Sequence, residues 1–227
     1  MIKRILKKIF NELKITFIYY YYRIFRSKET FIFNGKTYYY FCHKYNTTWR
    51  NERAIEVPII WDIVREYSRN GKRVLEVGNV LSHYFPIFHD VVDKYEVAKG
   101  VINQDVVDFK PAQRYDLIVS ISTLEHVGQD EELKEHGKVL KAFENLKQCL
   151  NPRGKIIVTL PLGYNPYLDE LLRKGKIKFT EQYYLKKNRS KWKEVDWNDC
   201  CNEKYDFIHH TAKALIFDIY YNQDIRL

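Results

Sequence analysis

None of the four cysteines, Cys42, Cys149, Cys200 and Cys201, stands in a C-x-x-C pair. The adjacent Cys200 and Cys201 would close a strained vicinal bridge and make a poor metal clamp. The spacing therefore offers neither a disulfide framework nor a zinc site; reduced thiols in a cytoplasmic protein, with no metal, are expected. The aromatic run ITFIYYYY has only eight residues, short of the ~20 apolar residues that cross a bilayer. A small-residue cleavage site is missing from the N-terminal run, so no cleavable signal is expected. Internal repeats and low-complexity linkers are lacking too.

What is there is ample for a core. An apolar fraction of 45% over 227 residues suits one substantial domain with a small appendage. The net charge of +9 is unevenly spread. Residues 1–28 hold eight basic side chains against Glu12, and residues 173–193 hold nine against Glu181. These segments are +7 and +8, which leaves the remainder at −6. An acidic body with two basic segments argues against a domain-wide nucleic-acid surface. The second segment, RKGKIKFTEQYYLKKNRSKWK, leaves three readings open: a single-strand nucleic-acid groove, a lysine-blunted sheet edge, or a site for an anionic acceptor.

At the N-terminus, Ile2, Ile5, Leu6, Ile9, Phe10, Leu13 and Phe17 recur at helical spacing opposite Lys3, Arg4, Lys7, Lys8, Asn11 and Glu12. Residues 1–28 are expected to form a basic amphipathic helix, lying on an anionic membrane surface or packed on the domain. Residues 29–50 follow as a hairpin and lead-in, with Asn34-Gly35 as a type I′ turn. A helix is expected over about Glu52 to Tyr67, with Pro58 tolerable only near its first turn or at a break, and stopped by Asn70-Gly71. Residues 51–227 are expected to be the main domain. In it RVLEV, HDVVD, GVINQ, YDLIVSI and KIIVTL read as strands, and KFTEQYYL and AKALIFDIYY as late strands around a polar excursion. LSHYF, Val139 to Leu150 and YLDELLRK read as helices. Such alternation implies a parallel sheet covered by helices on both faces.

In such a sheet the ligand sits beyond the carboxyl end of the first strand, where Gly78 falls. A dinucleotide needs further glycines for its pyrophosphate, and Val80 and Ser82 occupy those places. A ligand ending in a carboxylate, such as S-adenosylmethionine, asks less of the loop. VLEVGNVLSHYF, HDVVD, NQDVVDF, YDLIVSISTLEHV and LNPRGKIIVTLPLG stand in the order and spacing of class I S-adenosylmethionine-dependent methyltransferases. Over about residues 50 to 165 the chain resembles that family, in its small-molecule branch with Leu-Glu-His after the fourth strand.

The resemblance implies a Rossmann-like, doubly wound, mostly parallel seven-stranded sheet and S-adenosyl-L-methionine as cofactor. It places Glu76, Gly78 and Asn79 around the methionine end, and Asp93 on the ribose with Glu96 as its competitor. Asp105 and Val106 match the adenine site, and Ser120 and Ser122 border the cofactor. The absent second and third glycines depart from the family pattern. Bland readings stand beside these: a turn acid for Glu76, a strand-end charge for Asp93, a turn residue for Asp105, and a capping box from Ser122 to Glu125.

Methyl transfer gains rate by positioning two reactants, and a hydroxyl or ammonium acceptor must also lose a proton. His126 is the first candidate to take it, with Glu125, Tyr164, His209 and His210 behind it; Tyr164 and Asn165 are expected in the acceptor wall. RNERAIEVP is a candidate lid, although Arg53 and Glu56 read more simply as an i, i+3 surface pair. The expected activity is methylation of a small-molecule or glycan hydroxyl in the cytoplasm, at the membrane face if the helix binds there. The rival is a non-catalytic methyltransferase-like scaffold that binds a partner or membrane through its basic segments.

Overall fold

The computed structural model describes residues 2–222, with the side chains of 2–5, 7–9 and 11 left out of the description; residues 223–227 of the expected main domain lie outside it. The first element, α1 (Ile2–Phe25), falls within the helix expected over residues 1–28 and carries the tyrosines at 19–22. Next, β1 (Thr30–Phe33) and β2 (Lys36–Tyr39) pair as the expected hairpin. Asn34 and Gly35 both take positive φ, 46° and 72°, as a type I′ turn requires.

The helix α2 (Arg53–Arg69) carries Pro58 in its interior. A proline there leaves the carbonyl four residues back without its intrahelical donor. That carbonyl, on Ala54, accepts instead from the Phe41 amide at 2.8 Å, so the proline is tolerated because the hairpin lead-in packs on the helix. The helix ends at Asn70, as expected, with Gly71 at φ +66°.

The central sheet has eight strands among the described residues, one more than expected. Its strands are β3 (Val74–Val77), β4 (Asp90–Val92), β5 (Val101–Ile102), β6 (Tyr115–Ile121), β7 (Leu150–Pro161), β8 (Glu181–Asn188), β9 (Lys191–Val195) and β10 (Ala214–Tyr221). The spatial order is β5-β4-β3-β6-β7-β10-β8-β9. The first five strands pair in parallel, and β10, β8 and β9 close the sheet antiparallel. The extra strand is β9, which lies in the polar excursion. It turns back from β8 at Arg189 (φ 56°) and buries only Trp192 fully, so its apolar pattern is faint.

Both faces are covered. On one, Leu75, Ile118, Ile156 and Ile216 pack on Phe143 and Leu146 of α3 (Lys138–Gln148) and Leu168 of α4 (Pro166–Arg173). On the other, Leu117, Val119, Ile157 and Phe217 meet Ile55 and Ile59 of α2 and the hairpin's Phe31 and Phe33. Truncating one such fully buried leucine or isoleucine to alanine costs about 2–5 kcal/mol. Leu150, expected on the helix, instead opens β7; the Asn-Pro-Arg-Gly turn is an irregularity of that strand, with Arg153 at φ 62°. A short helix α5 (Trp197–Cys200) follows β9. Where LSHYF predicts a helix there is a single 3-10 turn, Leu81–His83, because Pro86 leaves no room for more.

Candidate active site

The strand order reverses at β3, between β4 and β6, and the crevice beyond their carboxyl ends is where ligands bind in open α/β sheets. A cavity of about 490 Å³ opens there, a size usual for cofactor sites. Gly78, Asn79, Asp93, Glu96, Asp105, Val106, Ser122 and His126 all line it. Of the residues expected around the cofactor, only Glu76 and Ser120 are missing from the wall.

Both misses have a physical reason. Glu76 lies inside β3, wholly buried. Its Oε1 accepts from the amides of Val80 (2.9 Å) and Leu81 (2.8 Å), and its Oε2 faces His89 Nε2 at 2.9 Å. It is the turn acid of the bland reading and shapes the loop from behind. Ser120 is buried in β6, away from the crevice.

The same bonds answer what the loop can hold. The Asn79 amide donates to Asp93 (3.1 Å) and the next two amides to Glu76. Pyrophosphate binding relies on such amides being free; here protein carboxylates consume them. Gly78 takes φ +88°, and a Cβ on it would lie 2.3 Å from Thr123 Oγ1. The glycine is thus required by the close approach of the two loops as well as by the backbone angle.

The acids along the cavity are partly engaged. Asp93 also accepts from the Tyr95 and Glu96 amides, both at 2.8 Å. Glu96 binds only side chains, Asn79 at 2.6 Å and His83 at about 3.1–3.2 Å. Asp105 is gripped by Lys138 (2.6 Å) and Lys94 (3.0 Å). Burial pushes its carboxyl up, but those lysines outweigh it and hold Asp105 below the usual carboxylate range.

Arg53 and Glu56 are no surface pair. Glu56 is wholly buried and accepts from Arg53 at 2.7 Å and from Ser122 Oγ and Thr159 Oγ1 at 2.5 Å each. Arg53 also borders the cavity and reaches the Ser122 carbonyl at 3.4 Å. Burial works against its charge, but Glu56 and Glu52 raise its pKa above the ordinary value. Burial pushes Glu52 up, and Glu125 far up; one Glu125 oxygen has no partner. Burial thus disfavours the charged forms of Glu52 and, most of all, Glu125 beside the Arg53–Glu56 pair. The sequence signal for this cluster was the apolar run of α2 on either side of Glu56, which marks the acid as inward-facing.

At the rim, His126 Nδ1 meets Asp130 at 2.6 Å, while Nε2 stands 3.6 Å from Glu125. Tyr164 donates to the same Asp130 at 2.5 Å, and its ring packs edge-on to His126 at 4.6 Å. Burial and then Asp130 push the Tyr164 pKa far up, so its hydroxyl stays a donor. Burial raises Asp130 as well, but the bonds from Tyr164 and His126 win and keep it below the usual range. Tyr205 and Phe207, from the excursion before β10, pack on Tyr164 at 5.0 and 5.4 Å.

Asn165, expected in the acceptor wall, is instead the buried N-cap of α4, accepting from the Leu168 amide. His209 and His210 are exposed and lie away from the crevice, His209 paired with Asp206. Sequence reasoning missed Tyr45, stacked on His83 at 4.2 Å in the cavity wall, and Asp130. The i, i+4 spacing of His126 and Asp130 was the available signal.

S-adenosylmethionine fits this cavity by its chemistry: acids for ribose and amine hydrogens, an apolar Val106, and the Arg53 cation for a carboxylate. The family model described as "Methyltransferase domain" matches residues 52–215. The comparison with curated protein sequences yields no match. Among solved structures, the fold is similar to the N-methyltransferase NodS of Bradyrhizobium japonicum WM9 in complex with S-adenosyl-L-homocysteine. That likeness has 12% identity and TM-score 0.42, and covers 77% of this chain and 94% of that one. It is also similar to the sugar N-methyltransferase KedS8 of Streptoalloteichus sp ATCC 53650, at 17% identity and TM-score 0.37, over 69% and 67% of the two chains. TehB of Haemophilus influenzae shares 16% identity at TM-score 0.41, over 80% and 65%. The chain therefore belongs to the methyltransferase-domain family and is an S-adenosylmethionine-dependent methyltransferase.

Proposed function

We propose that the chain methylates a hydroxyl of a small-molecule or glycan acceptor, with His126 taking the proton. What carries the reading is the Asp130–His126 pair at the cavity rim, with Nε2 left for the acceptor. Asp130 fixes the ring's orientation and stabilises it once protonated, and Tyr164 fixes Asp130. Tyr164 is thus a positioning residue rather than a base. Tyr205 and Phe207 offer aromatic faces for a sugar ring.

Arg53 holds the carboxylate of the methionine end beside Gly78 and Asn79. Asp93 and Glu96 hold the ribose, Asp105 and Val106 the adenine, and Ser122 ties the wall to Glu56. Bound there, S-adenosylmethionine supplies an electrophilic methyl group. The unpaired buried oxygen of Glu125 supports a second reading, an amine acceptor, whose N–H would find a hydrogen-bond acceptor there.

Incubation with methyl-labelled S-adenosylmethionine and a panel of hydroxyl and amino sugars tests this. Label in the hydroxyl sugars, lost in His126→Asn while S-adenosylhomocysteine still binds, is the expected result. Label confined to amines favours the second reading. No transfer to any acceptor and no S-adenosylhomocysteine binding would leave the scaffold reading.

A further inference from the structure

The helix α1 presents an apolar stripe that nothing in the described structure covers. Leu6, Phe10, Leu13, Phe17, Tyr20 and Ile24 are between 52% and 74% exposed and follow one another at four- and three-residue steps, one line along the helix. From Leu6 to Ile24 is 18 residue steps, a strip ~27 Å long. The opposite face is the one that holds the body. Tyr19 and Tyr22 pack on Trp49 at 6.0 and 5.9 Å, and Arg26 binds Ser190. The helix is therefore docked with its apolar side turned outward. Such a strip on a soluble surface marks an interaction site.

Two occupants fit its shape. The four-three spacing is that of a coiled-coil seam, which a second copy of the chain would fill. Charge decides against it. Residues 1–28 carry eight basic side chains and one acid, and in a heptad register with the stripe at a and d, Lys7, Lys14 and Arg23 take the flanking e and g positions. Self-pairing sets like charges together, with no acid at those positions to offset them. The complement of an apolar strip edged by lysine and arginine is a lipid surface with anionic headgroups. Tyr20 and Tyr21 add apolar rings with polar tips, suited to that depth.

We infer that α1 lies in the plane of an anionic membrane and holds the enzyme there. None of the described helices is long and apolar enough to cross a membrane, so the contact is superficial. It also borders the active site. Lys44 lies over the rings of Tyr19 and Tyr20, and the next two residues, Tyr45 and Asn46, line the cofactor cavity. Docking α1 thus brings the rim of that cavity near the bilayer. The inference does not depend on the acceptor.

Flotation of the full chain with phosphatidylcholine vesicles, with and without an equal part of phosphatidylglycerol, tests it, beside the variant Phe10→Glu/Phe17→Glu. Both phenylalanines are exposed, so the variant should melt and bind S-adenosylhomocysteine as the wild type does. Expected is flotation with the anionic vesicles only, weakened by salt, and a loss of at least about a hundredfold in partitioning for the variant. Wild-type protein that fails to float with either vesicle overturns the inference. So does equal flotation of wild type and variant, which would mean that charge alone binds. A dimer by light scattering that the double substitution turns into a monomer would assign the stripe to a second copy instead.

Discussion

Adding a single methyl group at Gly78 separates two costs that the structure places at one position. In Gly78→Ala the backbone at φ +88° becomes strained, which for a left-handed residue with a side chain costs about 1–2 kcal/mol. The new Cβ would also meet Thr123 Oγ1 at 2.3 Å, and Thr123 Cγ2 and Cβ at 2.7 and 2.9 Å. No rotation of Thr123 about its own Cα–Cβ bond removes the last of these contacts, so one loop must move. Giving up the Thr123 hydrogen bond to the Ile121 carbonyl adds about 1 kcal/mol. A total of about 2–3 kcal/mol is expected in urea denaturation. Cofactor binding should fall with it, because both residues line the cavity. In a Thr123→Ala background the hydrogen bond and the Oγ1 and Cγ2 contacts are already gone, so Gly78→Ala should cost less there, about 1–2 kcal/mol of backbone strain. Wild-type stability and S-adenosylhomocysteine affinity in Gly78→Ala would refute the reasoning, and so would an equal cost in the two backgrounds.

Arg53→Met leaves Glu56 without its only cationic partner among the described residues, and breaking a buried pair from one side costs about 3–5 kcal/mol; chemical denaturation reads this, and a change below about 1 kcal/mol would mean that the cluster is solvated. Asp218, buried in β10 with one oxygen unpartnered, has its carboxyl pushed up to about 8 by burial. The folded chain keeps a proton that the unfolded chain gives up near the ordinary carboxylate value, so this group's contribution to stability is complete below about pH 4. It is lost as pH rises toward 8, at up to about 1.4 kcal/mol per pH unit. Asp218→Asn should flatten that slope and raise the urea midpoint at pH 8; an unchanged slope would contradict the assignment. Asp105→Ala and Glu96→Ala should each weaken S-adenosylhomocysteine binding roughly ten- to a hundredfold in calorimetry, whereas wild-type affinity in either removes that residue from the site.

How far the sequence could be read depended on whether a residue's role was local. The hairpin turn at Asn34-Gly35 and the helix stop at Asn70-Gly71 use local backbone chemistry, and the structure has both. The strands β3, β6 and β7 are apolar runs buried on both faces, and they too were legible. Pro58 was not, since the donor that compensates it comes from Phe41, distant in the chain until the hairpin folds back. Nor was β9, whose pattern is mostly charged because it is a sheet edge. In the site, Gly78, Asp93 and Asp105 reach the cavity as motif order suggested, but their engagement with Thr123, backbone amides and lysines is tertiary. Glu76 shows the limit most clearly. Its place after an apolar run fits a ligand contact and a loop brace equally, and only the Val80 and Leu81 amides distinguish them.

Those amides also bear on the central claim, that this crevice takes S-adenosylmethionine although its loop lacks the glycines of a dinucleotide site. Calorimetric titration of the wild-type chain with S-adenosylhomocysteine, and separately with NAD, tests it most directly. Saturable one-to-one binding of S-adenosylhomocysteine, abolished or weakened in Gly78→Ala, with no heat from NAD, is the expected result. Saturable binding of NAD with none of S-adenosylhomocysteine would contradict it.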